Sequence, residues 1–159
     1  MNLNLMRMTN AQKDFLLNSF FEQIMLIPSD KAPAWGKMGL QQMIEHLSDS
    51  VRMANGKQPH AEIVTPAERL QAVRDFLYSE REFKPETKNS LMGPEPPSLC
   101  NENLDLAIAE LQHEVKAWVE LFESNPGLIV RNPFFGDLDE DGWTRLFYKH
   151  FLHHLKQFS

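Results

Sequence analysis

A chain of 159 residues, 42% hydrophobic and 24% charged, has the composition of one soluble globular domain that can bury a core without staples. Its net charge of −6, with no Lys/Arg-rich run, lacks the basic stripe that phosphate contact requires, so no nucleic-acid partner is expected. No apolar run approaches the roughly 20 residues of a membrane span, so no membrane partner is expected either.

The first helix is predicted over residues 10–27, with Thr9 or Asn10 as N-cap and Pro28 as its stop. Leu16, Leu17, Phe20, Phe21, Ile24 and Ile27 would form its buried face. A linker carrying Trp35 follows. The second helix is predicted over 40–54 and stops at Asn55-Gly56, a good left-handed terminator. A third is predicted over 66–83, opening at Thr65-Pro66 with Glu68 in its first turn. Its apolar positions (Leu70, Val73, Phe76, Leu77) are few, which suits a peripheral helix.

The stretch KPETKNSLMGPEPPSLCNEN carries four prolines and a glycine, which forbid regular structure. Its length suits a crossover connection. Beyond it, a fourth helix is predicted over 104–123. Leu104, Ile108, Leu111, Val115, Trp118 and Phe122 alternate four and three apart, an a/d stripe for bundle packing. The last helix begins behind Asp139 as N-cap, with Glu140 and Asp141 at the positive end of its dipole and Lys156 near the other. No β-strand is predicted, because Leu128-Ile129-Val130 is too short and is bounded by turn residues. There are no internal repeats. The expected fold is one all-α domain over 1–159: a bundle of four long helices, the shorter third helix beside it, and the Pro-rich loop crossing over.

The last helix holds the chemistry. In WTRLFYKHFLHHLKQF, His150 and His154 are four apart and share a face with Trp143, Phe147 and Phe158, within about 80° at 100° per residue. Arg145, Lys149 and Lys156 fall on the opposite side. Imidazoles facing a core need partners, since an unpaired buried polar group costs about 1–3 kcal/mol. One ion reached by both is one answer. A tyrosine, an aspartate or backbone carbonyls would be another. His153 lies at the polar margin and offers i, i+3 spacing with His150 as an alternative second ligand.

On the second helix, His46 sits at the edge of the apolar face, near Met43, Leu47 and Ser50. Three histidines from two helices would leave a zinc-like ion one open coordination position, as in catalytic sites. Glu45 and Asp49 point away from the stripe and read as solvated charges; of the two, only Asp49 is placed to orient a ligand histidine. His113 lies on a polar face and His60 in a loop without a partner. Tyr148 is on the far side of its helix, and Trp35, Trp118 and Trp143 read as core. Cys100, the lone cysteine, reads as an incidental thiol suited to a reducing compartment. With an N-terminus that lacks the apolar core of a signal peptide, the expected location is cytoplasmic. No Gly-rich phosphate loop and no Gly-x-Ser-x-Gly elbow is present.

The segments WGKMGLQQMIEHLSDS and NPFFGDLDEDGWTRLFYKHFLHHLKQF resemble the DinB/YfiT-like superfamily, and within it a bacterial subfamily of unknown function. The likeness covers nearly the whole chain. It implies a four-helix bundle with up-down-down-up order, often a homodimer, and a divalent metal held by a histidine of the second helix and an HxxxH of the last. Here those are His46, His150 and His154. Better-understood members use the metal in thiol-dependent transferases, isomerases or hydrolases. The expectation is therefore a zinc- or nickel-dependent transferase or hydrolase acting with a low-molecular-weight thiol or another small molecule. The competing expectation is a non-enzymatic bundle whose histidine cluster is structural or vestigial, acting in partner binding or stress response. The linker over 35–38 and the Pro-rich loop are the expected pocket rim.

Overall fold

The computed structural model describes residues 3–159, apart from the side chains of residues 4–8. It is mostly helical, with five helices and one two-stranded sheet. Helix α1 is continuous over residues 3–24: an α segment Leu3–Asp14, a π-helical turn Phe15–Ser19 and an α segment Phe20–Ile24. Helix α2 is Leu40–Arg52, α3 is Ala67–Leu77, α4 is Leu104–Ser124 and α5 is Glu140–Gln157.

Most helical boundaries fall where their end signals lie. Asn103 caps α4 by accepting from the Leu106 N–H at 2.9 Å, and Asp139 caps α5 by accepting from the Gly142 N–H at 2.9 Å. Three boundaries differ from expectation: α1 ends at Ile24, three residues before the predicted Ile27 and short of Pro28, and the other two are the start of α1 and the end of α3. Thr9 and Asn10 lie inside α1 and do not start it. That part of α1 is instead held by α5: the Thr9 hydroxyl donates to Asp141, and Lys13 pairs with Glu140. Helix α3 ends six residues early. Ser79 Oγ donates to the Phe76 carbonyl at 2.6 Å, a local bond that turns the chain out of the helix. Lys149 of α5 then takes the carbonyls of Ser79 and Arg81.

The absence of strands is also corrected. Val130–Asn132 (β1) and Gly136–Leu138 (β2) pair antiparallel, with Val130 opposite Leu138. The turn between them is built by Asn132, whose Oδ1 accepts from the Phe134 and Phe135 N–H groups at 2.8 and 3.0 Å. Gly136 closes it at φ +79°, where a side chain would be strained.

Side-chain contacts give the helix directions. Gln41 reaches the Asn101 carbonyl, Arg52 reaches Glu110 and Glu114, and Asn55 reaches Glu114, so α2 and α4 run parallel. Phe15 meets Tyr148 at 5.2 Å and Phe20 meets Phe151 at 4.8 Å between ring centroids, so α1 and α5 also run parallel. Helices α2 and α5 are antiparallel, since Trp35 meets Gln157 while His46 meets His150. Between the four lies the core, where Leu16, Phe20, Met43, Leu47, Leu111 and Phe151 have no exposed surface. Trp118 sets its edge on Phe147 at 5.0 Å. Among the described residues no helix is long and apolar enough to cross a membrane.

Glu45 is not a solvated charge. It is 9% exposed, and its carboxylate accepts the backbone N–H groups of Cys100 and Asn101 and the Asn101 side chain. Burial raises its pKa. The bonds from the Asn101 and Cys100 backbone, then from Gln41 and the Asn101 side chain, outweigh that and hold the carboxyl below its usual range. Glu45 thus fastens the end of the Pro-rich crossover onto α2. Glu45→Ala is expected to lower stability by about 3 kcal/mol in urea unfolding, because two partly buried N–H groups lose a charged acceptor. Glu45→Gln, which keeps one acceptor oxygen, is expected to lose about half as much. Equal losses in both variants would mean that packing, not hydrogen bonding, is what Glu45 supplies.

Candidate metal centre

The antiparallel crossing of α2 and α5 brings His46 against the i, i+4 pair of α5. His150 Nε2 lies 3.0 Å from His46 Nε2 and 3.0 Å from His154 Nε2. Ring centroids are 4.8–5.0 Å apart, and the nitrogens that could serve as ligands all lie within 4.8 Å of one another. His154 is buried, whereas His46 and His150 are half-buried.

Proton counting constrains what such a cluster can do. A ring nitrogen carries either one N–H or one lone pair, so His150 Nε2 can make one good hydrogen bond. Its second contact at 3.0 Å then sets lone pair against lone pair or proton against proton, puts two donors on one lone pair, or divides one proton between two lone pairs. A cation resolves both contacts, because all three nitrogens can direct lone pairs at it. With metal–nitrogen bonds of about 2.0–2.1 Å, ligand atoms are separated by roughly 3.3 Å in a tetrahedron and roughly 2.9 Å at an octahedral right angle. The two separations that include His150, 3.0 Å each, fall between these limits, and the whole set lies within 4.8 Å. Three imidazoles are a donor set suited to zinc, nickel, copper or iron.

Electrostatics point the same way. Burial, then the nearby His153, pushes the His46 pKa down to about 4. Burial and His46 push His154 down to about 3, against a raising contribution from Gln157. His150 is held well below its usual value by burial, then by His154, His46 and His153. All three rings are neutral at pH 7, the state an imidazole must have to ligate.

The remaining sequence candidates separate cleanly. His153 does not join the nitrogen cluster: its ring packs on Trp35 at 5.3 Å and Phe83 at 6.0 Å. It lines a small cavity of about 180 Å³ together with Trp35, Phe83, Pro85 and Leu152. Trp35 is therefore a half-buried rim residue, not core, while Trp118 and Trp143 are core. Asp49 does not orient a histidine; it is exposed and pairs with Arg52 at 2.9 Å. Tyr148 packs on Phe15, away from the cluster. His113 and Cys100 are exposed and His60 is half-buried.

The side of α5 opposite the histidines is also covered. Arg145 pairs with Asp141 at 3.1 Å and lies over the Tyr78 ring, and Lys149 lies 4.9 Å from the centroid of the Phe76 ring. Both are 8% exposed, because α1 and the segment after α3 pack there. A residue that sequence reasoning missed is Gln157, whose Oε1 is 2.8 Å from His154 Nδ1. Its trace in the sequence is a polar side chain between Leu155 and Phe158, three positions beyond a ligand candidate.

Neither the curated proteins nor the solved structures contain a match to this chain. A family model described as a protein of unknown function, DUF1569, matches residues 15–159 and so spans all three histidines of the cluster. With nearly its whole length matched, the chain belongs to the DUF1569 family.

Proposed function

We propose that this protein is a divalent-metal protein of the DinB-like kind, in which His46, His150 and His154 hold zinc or nickel and leave a coordination position open. The observation that carries this is the approach of His46 Nε2 and His154 Nε2 to His150 Nε2, each at 3.0 Å, two contacts that a single ring nitrogen cannot both satisfy well by hydrogen bonding. The parallel pairing of α1 with α5 and of α2 with α4 supports an up-down-down-up four-helix bundle, with residues 53–103 forming the crossover.

A divalent ion in such a site supplies Lewis acidity, which lowers the pKa of a bound water or thiol toward neutrality. The chain's own residues would do the rest. Neutral imidazoles from two rigid helices fix the ligand directions. Phe83 stands 6.4 Å from the His150 ring and limits water on that side. Trp35, Phe83, Pro85 and Leu152 offer apolar walls for the body of a small molecule next to the cluster. We assign the activity to the class of metal-dependent transfer to or from a small-molecule thiol, or hydrolysis.

The test is elemental analysis of protein purified without a histidine tag. Wild type is expected to carry about one equivalent of zinc, nickel or a similar ion, and a His150→Ala/His154→Ala variant less than about a tenth of that. Wild type that stays metal-free after incubation with zinc, nickel, cobalt and manganese would leave the cluster as a structural or vestigial feature.

A further inference from the structure

We infer that Gln157 is a positioning residue: it fixes the tautomer of His154 and ties that ring to the linker bearing Trp35. The consequence for an ion rests on the metal site proposed above, but the tautomer does not.

Gln157 is 3% exposed and occupies the last turn of α5, three residues beyond His154. Its amide spans two partners. Nε2 donates to the Trp35 carbonyl at 2.8 Å, and Oε1 lies 2.8 Å from His154 Nδ1. The Trp35 carbonyl has no proton to give, so the atom facing it must be the NH₂ end of the amide. That leaves Oε1, an acceptor only, facing the ring. His154 Nδ1 must then bear the proton, and in a neutral imidazole Nε2 is left with the lone pair. Nε2 is the atom that meets His150 Nε2 at 3.0 Å. A backbone carbonyl in the linker thus selects, through one amide, the tautomer that can ligate.

The linker is held closely enough for this selection to be firm. The Ala34 N–H donates to the Gln157 carbonyl at 2.7 Å, so main chain and side chain of one residue both grip residues 34–35. Gly36 follows at φ +76°, and a Cβ there would come within 3.1 Å of Gln157 Nε2. Glycine is therefore the residue that lets the backbone pass over the amide. Because Trp35 also walls the cavity beside His153, Gln157 joins a wall of that cavity to a ligand of the proposed metal.

The experiment uses ¹⁵N-labelled full-length protein, treated with chelator, at pH 8. Long-range ¹H–¹⁵N spectra assign the His154 tautomer in wild type, Gln157→Glu and Gln157→Leu, and zinc titrations give the affinity of each. Glutamate keeps an acceptor for Nδ1–H but loses the bond to the Trp35 carbonyl; leucine loses both. Wild type and Gln157→Glu are expected to show Nδ1–H and zinc affinities within about threefold, whereas Gln157→Leu shows mixed tautomers and an affinity lower by about 10- to 100-fold. Nε2–H in wild type would overturn the inference, as would equal weakening in the two variants, since both lose the linker bond. The wild-type spectrum decides even if a variant fails to fold. Nδ1–H in wild type and the glutamate variant but not in the leucine variant, with no zinc uptake by any, would support the tautomer lock and remove the metal site instead.

Discussion

His150→Ala is expected to lower zinc affinity by about a hundred- to a thousandfold at pH 7.5, while His153→Ala changes it by less than about threefold. The magnitude follows from ligand sharing. Apparent binding free energies of about 10–16 kcal/mol for four-ligand zinc sites assign roughly 2.5–4 kcal/mol to each ligand, or about two to three decades. His150 is the informative ligand because both short nitrogen–nitrogen contacts pass through it. His153 is the matched control: it belongs to the same helix, and its ring stands 5.0 Å from that of His154, but it faces Trp35 and Phe83. The same substitution has little effect on the metal-free fold. Removing His150 relieves a contact that protons cannot satisfy, so the loss of packing is partly offset, and the metal-free variant is expected within about 1 kcal/mol of wild type. A competition titration with a chromophoric chelator gives the first number, and urea unfolding in chelator gives the second. Equal weakening by His150→Ala and His153→Ala would move the site away from the three-nitrogen cluster.

How far these features can be read without coordinates depends on the distance over which each is encoded. Helix α4 is legible because its stripe from Leu104 to Phe122 is set by spacing alone, and the folded chain buries those residues, Leu104 only in part. The cap at Asp139 is legible because the bond it makes spans three residues. His150 and His154 are legible as a pair on one apolar face, since four residues of helix bring them together. His46 is less so. It lies at the edge of its own stripe, and only the antiparallel crossing of α2 with α5 brings that edge against His150.

Other features depend on partners that leave no periodic trace. The Glu45 carboxylate is held by backbone N–H groups 55 and 56 residues downstream, and backbone donors carry no side-chain signature. Asp49, at the position read as orienting, has Arg52 one turn away, and that local pairing wins. The β1–β2 hairpin has three-residue strands, too short for alternation to register, so its only signals are the Asn132 turn and Gly136. The early end of α3 is made by the local Ser79 bond and held by Lys149 from far along the sequence, against an apolar pattern that continues to Phe83. For Glu45 and for the segment after α3, tertiary hydrogen bonds outweigh a local preference that is worth less.

Metal-free protein is expected to lose about 4–6 kcal/mol of stability between pH 7.5 and pH 5. In the folded chain burial brings the pKa of His46 down to about 4 and that of His154 down to about 3, and holds that of His150 well below the usual imidazole value. A depressed pKa means that the unfolded chain binds the proton first. The stability contributed by these groups is therefore complete above pH 6.5 and is lost as pH falls toward the folded values. At pH 5 each unfolded imidazole gains about 2 kcal/mol from protonation that its folded counterpart does not, so two or three such groups give the stated range. A domain of typical stability, about 5–15 kcal/mol, is brought close to its threshold. The carboxylates act in a different window. Glu45 and Glu114 have lowered pKa values, so their contribution holds above about 4.5 and fails only below it. Urea unfolding in chelator at half-unit pH steps separates the two: the histidine loss lies between pH 6.5 and 5, and a His46→Ala/His150→Ala/His154→Ala variant is expected to lose most of it, keeping only the part due to His153, whose pKa burial also lowers. Saturating zinc at pH 7.5 would act in the opposite direction, adding about 2.7 kcal/mol at a hundred times its dissociation constant, and that gain fades as protons compete for the same nitrogens. A wild-type change below about 1 kcal/mol over this interval would mean that the three rings are not held neutral by burial, and the electrostatic support for a ligand cluster would go with it.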